Sequence, residues 1–300
     1  MSKIDVIILT KNEEKHIERC IKSLQTIANH IFLVDSGSTD NTKEIAESLG
    51  AKVYEHPWIN YATQFQWGLE NCPIESEWVM RIDSDEYLEP ALAKEIADKT
   101  PYLPNDVSGI YLKRKVYFKG KWIRYGGFYP HVLLRIWRAG KGRIEQRWMD
   151  EHIVLSEGST VIYNENLVDY NLNDIGWWVS KHNSYATREM IDLMNSKYHF
   201  FDDDSALMDF DDPQAKRKRY LKERVYSRLP VGFRAFLYFN YRYFIKLGFL
   251  DGSKGFVFHF MQGFWYRLLV DVKVTEFEEK IKNIDLDIPA LLERDYNVKL

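Results

Sequence analysis

The first hundred residues alternate between two hydrophobic rhythms. "DVIILT" (5–10) is an unbroken β-branched run of the kind a strand buried on both faces carries. The polar stretch after it places Ile17, Cys20, Ile21 and Leu24 at helical spacing, so strand is followed by helix. The same pair returns in "HIFLVD" (30–35), the turn "SGSTD" and a helix opening near Asn41, with Ser38 or Asp40 as cap and Ile45 and Leu49 as the inner face. "AKVYEH" predicts a third strand, "YATQFQWGLENC" a helix and "EWVMRID" (77–83) a fourth strand. Strands and helices alternating at this length predict an α/β fold, a mostly parallel sheet flanked by helices.

From about Val107 the rhythm becomes strand-like, in "GIYLKRKVYF" and "HVLLRIWR", with turns at Gly120, Gly126, Gly127 and Gly140, and these pieces extend the sheet. Helical patterning resumes around 176–200. An aspartate-rich "FDDDSALMDFDDP" and a basic "KRKRYLKERVYSR" follow, and then two aromatic helices broken at "LDGSKG". The expected division is a catalytic domain over 1–170, with a donor half (1–106) and an acceptor half (107–170), and a helical C-terminal region over 171–300.

Composition narrows the classes. A chain of 300 residues with 45% hydrophobic and 28% charged content can bury a large core with an appended subdomain. A net charge of −3 argues against a general nucleic-acid binder. Cys20 and Cys72, the two cysteines, have no zinc or disulfide spacing, which fits a reducing cytoplasm. The opening apolar run meets charge at once, so neither a signal peptide nor a spanning helix is expected there.

Ligands of open α/β sheets sit beyond the carboxyl ends of the strands, where Thr10, Asp35 and Asp83 fall by this reading. In "RIDSDEYLEP", Asp83, Asp85 and Glu86 are close enough to repel one another. Two alternate carboxylates suit a Mg²⁺ or Mn²⁺ ion that keeps waters and shares substrate phosphates. The competing reading makes them first-turn acids of a helix in "SDEYLEPALAKEI". The Asp35 carboxylate can accept the N3 hydrogen of uracil; the competing reading is a cap of the next helix within "DSGSTDNT". Gly37 suits the tight turn there.

"VIILTKNEE", "VDSGSTDNT" and "RIDSDE", in this order, resemble the nucleotide-sugar domain of family 2 inverting glycosyltransferases, which have the GT-A fold. The resemblance implies that Thr10, Asn12, Glu13 and Asp35 hold the uridine part of the donor and that Asp83 and Asp85 bind the metal on its diphosphate. Asp83 counts among the donor contacts as well. Leu9 and Lys11 stand where the family often has proline and tyrosine. "YATQFQWGL" resembles a donor-facing helix, with Gln64 and Gln66 at the matching places and Phe65 replacing a frequent basic residue; Gln66 is the donor candidate.

Inverting transfer needs a carboxylate to take the acceptor hydroxyl's proton. "RWMDEHI" (147–153), about sixty-five residues after the D-x-D, resembles the family's acidic acceptor-site motif. Asp150 is the expected base and Glu151 its rival; His152 is a candidate metal or diphosphate contact, and Trp148 a sugar-stacking or core residue. Arg135, Arg138 and Arg143 fit a solvated sheet edge better than a phosphate clamp.

The aromatic, basic C-terminal helices suit an anionic membrane interface or a packed helical subdomain, and charged residues keep either from spanning. "GFLDGSKGF" resembles the C-terminal part of bacterial transferases that glycosylate lipopolysaccharide core or lipid-linked oligosaccharides. The resulting expectation is a metal-dependent hexosyltransferase using a nucleotide sugar, UDP-linked by preference, and working on a lipid-linked or lipopolysaccharide-type glycan from the cytoplasmic side of the membrane. A non-catalytic glycan-binding or membrane scaffold and a sugar-1-phosphate nucleotidyltransferase are the alternatives. The latter wants a Gly-rich phosphate loop that "LTKNEEKHIE" lacks.

Overall fold

The computed structural model describes residues 4–145, 151–200, 232–283, 287–296 and 298. The chain divides into two compact units, one ending at Leu172 and the other beginning its main stretch at Asn173.

The first unit is built on a sheet that has nine strands among the described residues. Its elements are β1 (Ile4–Thr10), α1 (Ile17–Leu24), β2 (Ala28–Asp35), α2 (Thr42–Ser48), β3 (Lys52–Glu55), α3 (Tyr61–Asn71), β4 (Trp78–Arg81), β5 (Glu86–Leu88) and α4 (Pro90–Lys99). They continue with β6 (Val107–Phe118), β7 (Lys121–Ile123), β8 (His131–Arg138), β9 (Gly142–Ile144), β10 (Ile153–Leu155) and β11 (Ser159–Tyr170). The order across the sheet is β3-β2-β1-β4-β8-β6-β11-β5, with β7 beside β6. β3, β2, β1 and β4 all run parallel, as helical crossovers require. β8 enters antiparallel to both β4 and β6, while β11 runs parallel to β6.

Alternation along the strands assigns the two faces. Ile4, Val6 and Ile8 of β1 point into one core with Ile17, Cys20, Ile21 and Leu24 of α1 and Leu92 and Ile96 of α4. Ile7 and Leu9 point the other way, onto Phe65 of α3, Trp137 and Ile144. Full burial of an aliphatic side chain contributes about 1.5–3 kcal/mol, so the four buried residues of α1 secure that short helix. On the opposite face Gly68 lets α3 approach the sheet, for a Cβ there would lie 3.0 Å from Val34 Cγ2 and 3.2 Å from Ile7 Cγ2.

The second unit contains helix α5 (Ile175–Tyr198), a helix at Phe233–Asn240 that continues through a π-turn (Tyr241–Ile245), and a single-turn helix at Gly248–Asp251. A helix then runs from Gly252 to Asn283 through a second π-turn (Met261–Trp265), and Ile288–Tyr296 forms another. The break between the aromatic helices is held by buried polar groups. The Arg242 guanidinium donates to Gln262 Oε1 (2.5 Å) and to His259 Nδ1 (3.2 Å), and His259 Nε2 faces Asp251 Oδ2 at 3.2 Å. Arginine only donates, so the His259 proton sits on Nε2 and goes to Asp251. Burial, aided by Arg242, pushes the His259 pKa down against the pull of Asp251. Around this pin large apolar side chains remain exposed, among them Phe233, Phe236, Phe244, Ile245, Leu250 and Phe256. No helix among the described residues is long and apolar enough to cross a membrane.

Candidate active site

β1 and β2 end in register, Thr10 opposite Asp35, and the chain leaving β4 passes beside them, with Ile82 N donating to Ile7 O. These are carboxyl ends of neighbouring parallel strands, with β1 between β2 and β4, a switch point of the kind that leaves a crevice. Asp35 is fully buried, and its carboxylate organises the loop after β2. Oδ1 accepts from the Thr10 hydroxyl (2.9 Å) and the Ser38 hydroxyl (2.5 Å), and Oδ2 from Gly37 N (2.9 Å) and Ser38 N (2.7 Å). Asp35 therefore closes a turn; the start of α2 is served instead by Asp40, which accepts from Thr42 N at 3.0 Å. Asn12, at φ 56°, holds the same loop: Ser38 Oγ accepts from its N–H and its Oδ1 accepts from Thr39 N. The Glu13 carboxylate meets His16 Nδ1 at 2.6 Å, while His16 Nε2 accepts from Leu172 N at 2.8 Å. That fixes the His16 proton on Nδ1 and ties the end of this unit to the first strand-end loop.

In α3, it is Gln64 that reaches the loop after β2. It is fully buried, with Nε2 donating to Ser36 Oγ (3.0 Å) and His56 O (3.1 Å). Gln66 turns to Glu70 and to Ile144 N.

The D-x-D forms a turn between β4 and β5, closed by Glu86 N donating to Asp83 O at 2.9 Å. The helix-start reading of these acids does not hold, because α4 begins at Pro90 with Glu89 before it. Asp83 Oδ1 accepts from the Tyr61 hydroxyl (2.6 Å), and Oδ2 from Arg135 Nη2 (3.1 Å). Arg135 Nη2 also donates to Glu86 Oε1 at 2.6 Å. Burial opposes ionisation of Asp83, but Arg135, Arg81 and the Tyr61 hydroxyl outweigh it and hold its carboxyl well below the usual range. Glu86, deeper and beside Asp83, is pushed up to about 7 by burial despite Arg135. Asp85 stands apart. Asn171 Nδ2 donates to its Oδ2 at 2.9 Å, and among the described residues no donor reaches Oδ1. The Asp85 main-chain oxygen takes Arg19 Nη2 (3.1 Å) and Tyr170 N (3.1 Å), which fixes the turn against the end of β11.

The expected solvated edge is corrected for two of the arginines. Arg135 and Arg138 are 3% and 9% exposed on β8, an interior strand, and Arg138 Nε bonds Val107 O at 2.7 Å. Arg143 alone of the three is exposed, on β9.

Asp150 and Trp148 lie outside the described residues. Glu151 follows at the edge of the site, its main-chain oxygen accepting from Arg81 Nη1 at 3.2 Å. His152 is about half exposed, with Nδ1 3.5 Å from Glu145 Oε2.

The model of the family described as Glycosyl transferase family 2 matches residues 5–172, more than half of the chain. This chain belongs to glycosyl transferase family 2. It is similar to an uncharacterized glycosyltransferase of Rickettsia bellii, 45% identical over 101 residues, 34% of this chain and 32% of that protein. It is also similar to the lipopolysaccharide core biosynthesis glycosyltransferase LpsC of Rhizobium meliloti, 31% identical over 166 residues, 52% of this chain and 58% of the relative. The chain thus spans about a third of the length of the rickettsial relatives it matches. Among solved structures, glucosyl-3-phosphoglycerate synthase from Mycobacterium tuberculosis in complex with Mn²⁺, UDP and glucosyl-3-phosphoglycerate matches at 23% identity and a TM-score of 0.32, over 38% of this chain and 44% of that one.

For a family 2 glycosyltransferase the donor set at the D-x-D can be judged by its chemistry. Among the described residues no three histidine, cysteine or acidic side chains group as a metal cage, and the structure does not bring His152 into such a group with Asp83 and Asp85. A cation arriving on a diphosphate needs only one or two carboxylates and its own waters, which Asp85, with an oxygen that no donor reaches, fits. Sequence patterning missed Tyr61, Arg81, Arg135, Arg19 and Asn171 as members of this site. The one hint was charge: acids packed at a strand end need cations from elsewhere in the chain.

Proposed function

We propose that this family 2 glycosyltransferase is an inverting enzyme that moves a sugar from a UDP-linked donor to a lipid-linked or lipopolysaccharide-type glycan. The observation that carries the reading is the D-x-D turn after β4, where no described donor reaches one Asp85 oxygen, following a strand adjacent to the one that ends at Thr10 opposite Asp35. Thr10, Asn12, Glu13 and Asp35 shape the uridine side. Asp85, with Asp83 at its side, would hold a Mg²⁺ or Mn²⁺ ion on the diphosphate, and that ion when bound would supply charge stabilisation of the leaving group. The acceptor hydroxyl oxygen attacks the anomeric carbon as the bond to the diphosphate breaks, and Asp150 takes the proton, with Glu151 as the rival base. A cation carried this way needs no third side-chain ligand, so His152 belongs to the acceptor loop.

Similarity to the LpsC glycosyltransferase supports the acceptor class. The exposed aromatic face of the C-terminal unit and the basic run 216–228 support attachment to the anionic cytoplasmic surface of a membrane. The test is nucleoside diphosphate release from a panel of UDP-, GDP- and dTDP-sugars with Mn²⁺, Mg²⁺ or chelator. Metal-dependent release from a UDP-sugar, lost in Asp85→Ala, is expected; no release and no nucleotide binding across the panel would remove the enzyme reading. Cosedimentation with anionic but not neutral vesicles is expected, and indifference to both refutes the membrane attachment.

A further inference from the structure

The Asp83 carboxylate ends a directed chain of hydrogen bonds. Arg81 Nε donates to the Tyr61 hydroxyl at 2.9 Å, so that hydroxyl must give its own hydrogen to Asp83 Oδ1, 2.6 Å away. Through Nη1 the same guanidinium donates to the main-chain oxygen of Glu151. It lies over the Tyr61 ring, 4.3 Å from the centroid, which restricts where its donors point. On its far side Asp83 is held by Arg135, itself anchored on buried Glu86. One connected network thus runs from the interior of β8 through the D-x-D to the acceptor loop.

We propose that Asp83, Tyr61 and Arg81 form a positioning relay that sets the main chain at Glu151, itself a candidate base, while Asp85 is the carboxylate that meets the cation. This rests on the glycosyltransferase reading above. It divides the D-x-D between two tasks: Asp85 serves the donor, and Asp83 registers the acceptor side against it. Tyr61 and Arg81 are then positioning residues that set transfer rate without setting donor affinity.

Tyr61→Phe keeps the ring under Arg81 and removes both hydroxyl bonds. Mn²⁺–UDP affinity is measured by calorimetry, amide hydrogen exchange by mass spectrometry, and turnover as UDP release from the UDP-sugar selected by the panel. In Tyr61→Phe we expect Mn²⁺–UDP affinity within about twofold of the parent, exchange at 151–153 faster by about tenfold, and kcat lower by about tenfold at unchanged donor KM, as the loss of the two hydroxyl bonds loosens the loop. Arg81→Lys, which keeps a donor but not the fork, should give intermediate exchange and kcat, and it covers the case in which Tyr61→Phe folds poorly. A tenfold loss of Mn²⁺–UDP affinity in Tyr61→Phe, or exchange at 151–153 unchanged in both variants, overturns the relay. If the parent binds no Mn²⁺–UDP, the donor reading fails by itself, and the exchange comparison still decides whether the relay holds the loop.

Discussion

Removing the Arg135 side chain tests the electrostatic logic of the site most directly. Glu86 is 1% exposed and Arg135 3%, whereas the Asp83 side chain is 30% exposed. In Arg135→Met the Asp83 carboxylate regains water, but Glu86 loses its 2.6 Å partner with almost no access to solvent. Breaking a buried pair from one side costs about 3–5 kcal/mol. Glu86 is pushed up to about 7 even beside Arg135, so on losing it the carboxylate takes up a proton, and Arg114 lies 3.6 Å away. The expected loss, read at pH 8.5 where the parent carboxylate is ionised, is about 2 kcal/mol, below that range. Urea unfolding followed by tryptophan emission reads it, since Trp78 and Trp137 are fully buried in the same unit. Pairing Arg135→Met with Glu86→Gln removes the stranded charge, and the double variant should regain at least half of the loss. A single-variant loss under about 1 kcal/mol, or strict additivity of the two changes, would show that the pair is not the buried linchpin described.

Stability should fall in acid through Asp5, which is fully buried and accepts from Glu75 N (2.6 Å), Ser76 N (2.8 Å) and the Ser76 hydroxyl (2.9 Å). Burial raises its pKa, but these hydrogen bonds outweigh that and lower it; the folded state then binds fewer protons, so stability is full above the unfolded value near 3.8 and is lost as pH drops below it. Urea midpoints at pH 3 and pH 6 should differ less in Asp5→Asn than in the parent. Gly158→Ala should cost about 1–3 kcal/mol or more in the same assay, because the residue has φ 92° and a Cβ would lie 2.0 Å from Ser108 Oγ and 2.7 Å from Asp106 O. Thr10→Val frees a lone pair on Asp35 with little change of shape; if Asp35 reads uracil N3–H, calorimetry should show Mn²⁺–UDP affinity held and the preference over CDP kept, and a lost preference would deny Asp35 that role.

Much of the first hundred residues was legible because buried parallel strands write unbroken apolar runs and their helices write a clear stripe. β1, α1, β2, α3 and β4 fall where the pattern placed them, and the strand-end positions Thr10, Asp35 and Asp83 follow from that alone. β11 was not read as a strand. Its register with β6 shifts between Ile162 and Asn166, where the main chain of Asn164 and Glu165 turns to the Glu95 carboxylate, and the bulge breaks the alternation that marks a strand. The partners of the D-x-D were hidden for a different reason. Tyr61 lies 22 positions before Asp83 and Arg135 lies 52 after it, so no local pattern links them.

Counting lone pairs separates carboxylates saturated by the fold from one that keeps acceptor capacity. A carboxylate offers about four acceptor positions. Asp35 fills all of its positions from the Thr10, Gly37 and Ser38 groups, and Asp5 fills its own from Glu75, Ser76 and His30. Any ligand using Asp35 must displace a donor, and the rotatable Ser38 and Thr10 hydroxyls are the ones able to leave without breaking a main-chain bond. Asp83 has a donor on each oxygen, and both donors are themselves constrained by neighbours. Asp85 has an oxygen that no described donor reaches, at the rim of a turn fixed through its own carbonyl. Of these four aspartates it is the one where an incoming cation would gain a ligand without first costing the protein a hydrogen bond, which is the ground for the proposed division of the D-x-D.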